Sequence, residues 1–226
     1  MESAITSAPQ SPVAGHHWTS TGLDNRKIGI WAFLGSECML FVSLISTYLI
    51  YKGRSVVGPF PHEAWRNPAT GETVKGILNI PVTSFSTFLL LMSSLAMVLA
   101  HNAVVNKRTP KRTAGERILG NSRFWLWMVI VLGLGFLMCQ AYEFTSFVHE
   151  GLSIRTNLFG SSFFTLTGFH GAHVTAGVIW LCMLLAIDYK RGLMPEDALN
   201  VDLAALYWHF VDVVWIAIFT LVYLIK

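Results

Sequence analysis

Charge is what this sequence has least of. Only 13% of its 226 residues are Asp, Glu, Lys or Arg, whereas a soluble domain carries about 25%. Apolar residues make up 53% of the chain. So little charge excludes an ordinary water-facing domain and predicts an integral membrane protein. The net charge of +3 is small, so no nucleic-acid partner is expected.

Cysteine is scarce too. Cys38, Cys139 and Cys182 lie in apolar stretches, with no pair at metal-ligand spacing and no Cys-x-x-Cys-His for haem attachment, so we expect them to be small core residues. No nucleophile set with an oxyanion hole and no phosphate-binding glycine loop is visible, so no catalytic residue is expected. Residues 1–25 are polar and lack a hydrophobic h-region, which predicts an N-terminal tail rather than a cleavable signal.

Long apolar runs dominate the rest of the chain. Runs reach the roughly 20 residues that cross a bilayer at 28–51, 82–105, 124–148, 161–187 and 203–225. Only helices or closed barrels satisfy the backbone in lipid, and these runs do not alternate as barrel strands do. The sequence therefore predicts an all-α membrane bundle with five transmembrane helices, forming one domain over residues 26–226.

Basic residues predict the orientation of this bundle. Lys and Arg are concentrated in the loop 106–123, on the same side as the N-terminus. Because basic loops stay in the cytoplasm, we expect a cytoplasmic N-terminus and an outside C-terminus.

Small residues suggest a packing face on the fourth helix. Gly168, Ala172 and Ala176 repeat every four residues and are expected to let another helix approach closely.

The last two predicted helices each carry ionisable groups three residues apart, and therefore on one face: His170 with His173, and His209 with Asp212. These groups could form a metal or haem site. Alternatively they are structural, with each imidazole bonded to a neighbouring helix and Asp212 satisfied by the indole N–H groups of Trp208 and Trp215. Because no fourth ligand is convincing, the structural interpretation is favoured and no metal site is predicted.

Glu37 lies about ten residues into the first span, at a depth of ~15 Å and so near the bilayer midplane. Apolar surroundings disfavour the charged form of a carboxyl, so we expect Glu37 to be protonated. Two interpretations stay open. One is a proton-linked or lipid-facing site, and the other is a neutral carboxyl hydrogen-bonded inside the bundle.

Glu143 and His101 lie near span ends. A partly hydrated polar group costs little at the membrane interface, so both are expected to have structural, interfacial roles.

Several segments, in chain order, carry a resemblance to a known family: Ser36-Glu37, Ser93-Ser94 through His101, Gln140 through Glu143, Gly168-Phe169-His170-Gly171-Ala172-His173-Val174, and Tyr207-Trp208-His209-Phe210-Val211-Asp212-Val213-Val214-Trp215. Together they resemble subunit III of the haem-copper respiratory oxidases, cytochrome c oxidase subunit III, in its short five-helix bacterial form. Ser36-Glu37 is similar to the segment that holds the family's carbodiimide-reactive glutamate. Asn102 departs from many members, which have a second histidine there.

The resemblance implies an accessory subunit of a proton-translocating oxidase that binds no redox metal itself, while haem and copper belong to partner subunits. Its implied partners are the catalytic subunit I, subunit II, small subunits and phospholipid. Its implied role is to support proton uptake and stability of the oxygen-reducing complex in the bacterial cytoplasmic (inner) membrane. Alternatives are subunit III of a quinol oxidase, a homologue associated with nitric oxide reductase, and a free-standing proton- or metal-coupled transporter using Glu37 and the His/Asp set.

Overall fold

Five long helices make up most of the part of the chain that the structure describes. The computed structural model describes residues 24–55, 58–61, 63, 65–66, 71, 73–74, 76, 78–107, 115, 118 and 120–225. The helices are α1 (Asn25–Tyr51), α2 (Ile80–Val105), α3 (Ser122–His149), α4 (Leu158–Lys190) and α5 (Ala198–Phe219). Five helical segments are long and apolar enough to cross a membrane, which confirms the predicted bundle.

Most helices run past the predicted apolar spans because hydrogen bonding continues into polar interfacial residues. Three of the helices begin at a side chain that caps the N-terminus. Asp24 accepts from the Arg26 backbone N–H at 2.8 Å, and Asn157 accepts from that of Gly160 at 2.7 Å. Asn121 caps α3 in the same way, at 3.4 Å from the Phe124 nitrogen. Each cap satisfies a backbone donor that the helix leaves unpaired.

The long polar loop between α1 and α2 contains a small strand pair. Strand β1 (Trp65–Arg66) pairs antiparallel with β2 (Thr73–Val74), with Trp65 opposite Val74. This two-residue ladder is local and leaves the fold all-helical in its membrane part.

Helix α1 lies at the edge of the bundle, packed chiefly on α4 and α5, whereas α2 packs against α3 and α5. The buried residues of α1 are Leu34, Phe41 and Tyr48, each seven positions after the last. Seven-residue spacing gives a single narrow seam along a helix. The remaining faces of α1 are free to meet lipid or another subunit.

Two glycines, neither in the predicted stripe, make room for the Trp208 ring of α5. A Cβ at Gly177 would lie 2.9 Å from the Trp208 ring, and one at Gly133 would lie 2.8 Å from it. The stripe prediction was wrong within this chain, since Gly168 has nothing within 4 Å of an added Cβ and Ala172 and Ala176 are exposed. The wide indole ring on α5 decides where small residues are needed.

The cysteines are also not core residues as predicted. Cys38 and Cys182 are exposed and Cys139 is half-buried. Because lipid is as apolar as a protein interior, an apolar neighbourhood in the sequence does not separate lipid-facing from buried positions.

Candidate functional site

Glu37 and His173 form a polar pair between α1 and α4. The Nε2 atom of His173 lies 3.0 Å from Oε2 of Glu37, and both side chains are mostly buried, at 16% and 17% exposed. The Nδ1 atom of the same ring lies 2.7 Å from the backbone oxygen of Phe169. The Phe41 ring packs edge-on against the imidazole at 5.0 Å. The sequence predicted both residues as candidates but did not predict that they pair.

The number of protons in this pair follows from its contacts. A carbonyl oxygen only accepts, so Nδ1 of His173 must carry a hydrogen and donate it to Phe169. The contact between Nε2 and Glu37 then needs one further proton. It resides either on the ring, giving imidazolium and carboxylate, or on Glu37, giving two neutral groups. In both forms the pair is neutral overall and shares one proton between Nε2 of His173 and Oε2 of Glu37.

His170, one turn away, is fully buried in an aromatic cage. Its ring stacks on Trp215 at 4.8 Å and meets Phe136 edge-on at 5.7 Å. Within the described part of the chain neither ring nitrogen has a hydrogen-bond partner. The prediction that each imidazole bonds a neighbouring helix is therefore wrong for His170, because aromatic faces surround it.

His209 contacts Ser94 of α2, and Asp212 lies one turn further along α5. The Ser94 hydroxyl lies 2.6 Å from Nδ1 of His209, in a hydrogen bond whose donor depends on the histidine tautomer. Asp212 interacts electrostatically with His209. The Ser94–His209 contact joins α5 to α2.

The predicted tryptophan donors to Asp212 are used elsewhere. Trp208 donates to Ser93 Oγ and Trp215 to Thr87 Oγ1, each at 2.9 Å. Both hydroxyls belong to α2, so the indoles point past Asp212 into the α2–α5 contact. One oxygen of Asp212, Oδ1, is buried without a partner among the described residues.

Glu143 differs from its prediction as an interfacial, partly hydrated carboxyl. It is only 5% exposed, and it contacts the hydroxyls of Thr83 on α2 and Tyr223 at the chain's end. Tyr223, in the turn that follows α5, covers Glu143, and the position of Glu143 along α3 did not reveal this cover. His101 is half-buried near the end of α2, and its side chain makes no hydrogen bond or ion pair with the residues described.

Asp188 was missed as a site residue. It is fully buried in the last turn of α4, where its oxygens lie 3.6 Å from Lys107 Nζ and 3.4 Å from Arg123 Nε. Ser122 Oγ at 3.0 Å and the Leu193 backbone N–H at 2.7 Å donate to it. A signal was available, because an anion in a helix's last turn is unfavourable unless cations compensate it.

The described residues include no group of three or more His, Cys, Asp or Glu side chains arranged to hold a metal ion. Fold and site together define a multi-pass helical membrane protein whose ionisable groups lie in inter-helix contacts. A sequence model described as cytochrome c oxidase subunit III matches residues 7–226. The chain belongs to this family.

Individual relatives come from both branches of the family. The chain is 40% identical over 200 residues to cytochrome c oxidase subunit 3 of Bacillus sp. (strain PS3), covering 88% of this chain and 86% of that protein. It is 36% identical over 197 residues to quinol oxidase subunit 3 of Bacillus subtilis (strain 168), covering 87% and 85%. It is 34% identical over 198 residues to cytochrome bo(3) ubiquinol oxidase subunit 3 of Pseudomonas putida, covering 88% and 84%.

Proposed function

We propose that this chain is the non-redox subunit III of an aerobic haem-copper oxidase. It packs on subunit I, beside subunit II and small subunits that complete the complex, and supports proton uptake and the stability of the oxygen-reducing complex. Haem and copper belong to the partner subunits, and this chain supplies no catalytic residue. The complex resides in the bacterial inner membrane, with the basic loop 106–123 on the cytoplasmic side.

The observation that carries the proton-linked role is the Glu37–His173 pair. It holds one transferable proton, and it joins the peripheral helix α1 to α4 near the middle of the span. A neutral pair of this kind exchanges a proton between its members without creating a net charge in lipid. Net charge in hydrocarbon would be costly.

Phospholipid binding is proposed for a groove between α1 and α4. This groove, of about 250 Å³, is lined by apolar and hydroxyl side chains that include Leu44, Thr47, Leu158 and Thr165.

The electron donor is left as two candidates. Relatives named for cytochrome c and for quinol oxidases match this chain at 40% and 36% identity, over nearly the same length. Both candidates assign the same accessory role to this chain, because the donor is bound by other subunits. The family membership disfavours a free-standing transporter. The names of these relatives disfavour a homologue associated with nitric oxide reductase.

Co-purification tests this function. Affinity-tagged chain is extracted from aerobically grown cells in mild detergent, with an unrelated tagged membrane protein as control. We expect haem absorbance and oxygen-reducing activity to co-elute with the tagged chain alone. The chain separated from its partners should contain no stoichiometric haem or copper. A stable chain eluting without haem, and carrying out ion transport in liposomes, would contradict the proposal.

A further inference from the structure

A cavity reaches a second buried acid, far from Glu37. It has a volume of about 420 Å³ and lies between the start of α2 and the end of α3. Its lining includes Asn79, Tyr142, Glu143, Ser146 and Glu150. Glu150, just beyond α3, is half-buried there, and burial raises the pKa of its carboxyl. The cavity therefore connects the polar end of the bundle with a carboxyl buried inside it.

The contacts around Glu143 can be counted for hydrogens. Thr83 Oγ1 lies 3.0 Å from the Asn79 backbone oxygen and also contacts Oε1 of Glu143. The Tyr223 hydroxyl lies 3.3 Å from the other carboxyl oxygen, Oε2. Three contacts need three hydrogens if each is a full hydrogen bond. Thr83 and Tyr223 supply two, so the third must reside on Glu143.

One assignment of these three hydrogens then satisfies the three contacts. Glu143 donates from Oε1 to Thr83, Thr83 donates to Asn79, and Tyr223 donates to Oε2. If the proton leaves, Thr83 must turn its hydrogen from Asn79 to the carboxylate. The proton on Glu143 thus decides which partner the α2 hydroxyl takes, and it links α2, α3 and the end of the chain.

Among the residues that the structure describes, no cation lies in contact with Glu143 to balance its ionised form. The ionisable groups that interact with Glu143 are Tyr223 from the C-terminal turn and Cys139 from α3. Tyr48 of α1 interacts electrostatically with Tyr223. Thr83 and Asn79 of α2 are neutral, and Glu150 at the cavity has the same sign. None of the ion pairs found among the described residues includes Glu143. A buried carboxylate without a cation is unfavourable, so the proton is retained until water in the cavity accepts it.

The C-terminal turn gives the site a defined geometry. Residues Thr220–Leu224 form a π-helical turn, and Tyr223 within it is 1% exposed with its ring stacked on Phe219 at 5.7 Å. Such turns are rare and are frequently found at functional sites. Here the turn directs the tyrosine hydroxyl at Glu143.

We propose that Glu143 is a second proton-binding site of this chain, filled and emptied by water through the cavity beside Asn79 and Glu150. This site is separate from the Glu37–His173 pair. Tyr48, which interacts with Tyr223 beside Glu143, lies eleven positions beyond Glu37 on α1, roughly 16 Å along the helix. The proposal does not depend on the role of subunit III in oxygen reduction.

Infrared spectroscopy of the purified complex tests it. We expect Glu143→Gln to remove one carbonyl-stretch band of a protonated carboxyl, while the control Glu37→Gln leaves that band intact. Tyr223→Phe should keep the band but shift it to higher frequency, because Oε2 loses a hydrogen bond. In heavy water the wild-type band should shift while the protein remains folded.

Two results would overturn the proposal. Unchanged protonated-carboxyl bands in Glu143→Gln would mean that this residue is ionised. A band that fails to shift in heavy water would mean that the cavity gives no access to water. If Glu143→Gln does not assemble, the folded Tyr223→Phe variant provides the test. A carbonyl-stretch band that does not shift in this variant would show that Tyr223 does not bond the protonated carboxyl, which would contradict the proposal.

Discussion

At the scale of single residues, the polar groups of this chain matter through the hydrogens they share. Glu37 looked isolated in an apolar run, yet His173 from another helix lies 3.0 Å from it. His170, three positions earlier on the same helix, packs against the rings of Phe136 and Trp215 and has no hydrogen-bond partner among the described residues. Two histidines three positions apart therefore differ completely in chemistry, because one faces α1 and the other faces the bundle interior.

Glu37 is expected to react with a hydrophobic carbodiimide in preference to loop acids. The reagent needs a protonated carboxyl, which one form of the Glu37–His173 pair provides, and the membrane concentrates it near α1. Peptide mapping should place the label on Glu37 and not on exposed Glu63, nor on Glu72 and Glu116, which lie outside the described residues. Labelled complex should pump fewer protons while still reducing oxygen.

Glu37→Gln serves as the matched control for that reaction. The amide can donate to Nε2 of His173, so the variant should resist labelling and retain nearly normal oxygen reduction. Label recovered mainly on Glu63, or oxygen reduction abolished by the amide, would contradict the assignment.

Asp212→Ala is expected to weaken assembly rather than chemistry. The change removes a buried carboxyl group that interacts with His209, while the Ser94–His209 contact remains, and it should cost about 1–3 kcal/mol. Thermal stability and subunit stoichiometry of the purified complex measure this loss, and Asp212→Asn should cost less. Normal stability with lost oxygen reduction per haem would show that Asp212 acts in the chemistry.

At the scale of helices, two devices hold the bundle together. The Trp208 indole of α5 fills the space left by Gly133 on α3 and Gly177 on α4, and the N–H groups of Trp208 and Trp215 donate to hydroxyls of α2. At the C-terminal end of α4, Asp188 joins the end of α2 to the start of α3. Because hydrophobic burial distinguishes little between helix contact and lipid contact, close packing and polar contacts select the native arrangement.

Gly177→Ala is expected to destabilise the chain, since the new Cβ would lie 2.9 Å from the Trp208 ring. Overpacking of this kind costs about 1–3 kcal/mol. Gly168→Ala on the same helix is the matched control, with open space around its Cβ, and should be neutral or slightly stabilising through helix propensity. Thermal unfolding in detergent compares them, and equal melting temperatures would refute the packing role of Gly177.

Asp188→Ala should lower stability by about 2–3 kcal/mol, because it removes an acceptor that serves charged and neutral donors at a buried position. Lys107 and Arg123 are partly exposed, so water compensates them in the variant. Asp202→Ala is the control. Its ion pair with Lys27 at 2.8 Å is half-exposed and should contribute less than about 1 kcal/mol. A loss no larger than that of the control would show that Asp188 does not hold these helices.

At the scale of the whole molecule, an odd number of spans places the two termini on opposite sides of the membrane. We expect the loop 106–123 and the N-terminus to be cytoplasmic, because basic loops are retained there. Tags at either end, probed with an impermeant reagent on intact cells, measure the orientation. Reaction should occur only at the C-terminal tag. Reaction at the N-terminal tag would reverse the predicted topology.

The sequence by itself determined the class of protein, the number and approximate bounds of its helices, and the residues worth testing. Long apolar runs require helices in lipid wherever they occur, so this inference needs no tertiary contact. Its motifs also carried the resemblance that the family match confirmed.

Only the tertiary structure decided which groups meet. The pairing of Glu37 with His173, the cover over Glu143 and the cations around Asp188 all join residues far apart in the chain. Glu37, His173 and Glu143 lie in largely apolar stretches of the sequence, and lipid and protein interior look alike to an apolar pattern. Which polar side chains meet therefore depends on which face of each helix turns inward. The packing of the Trp208 ring against Gly133 and Gly177 helps to set those faces for α3, α4 and α5.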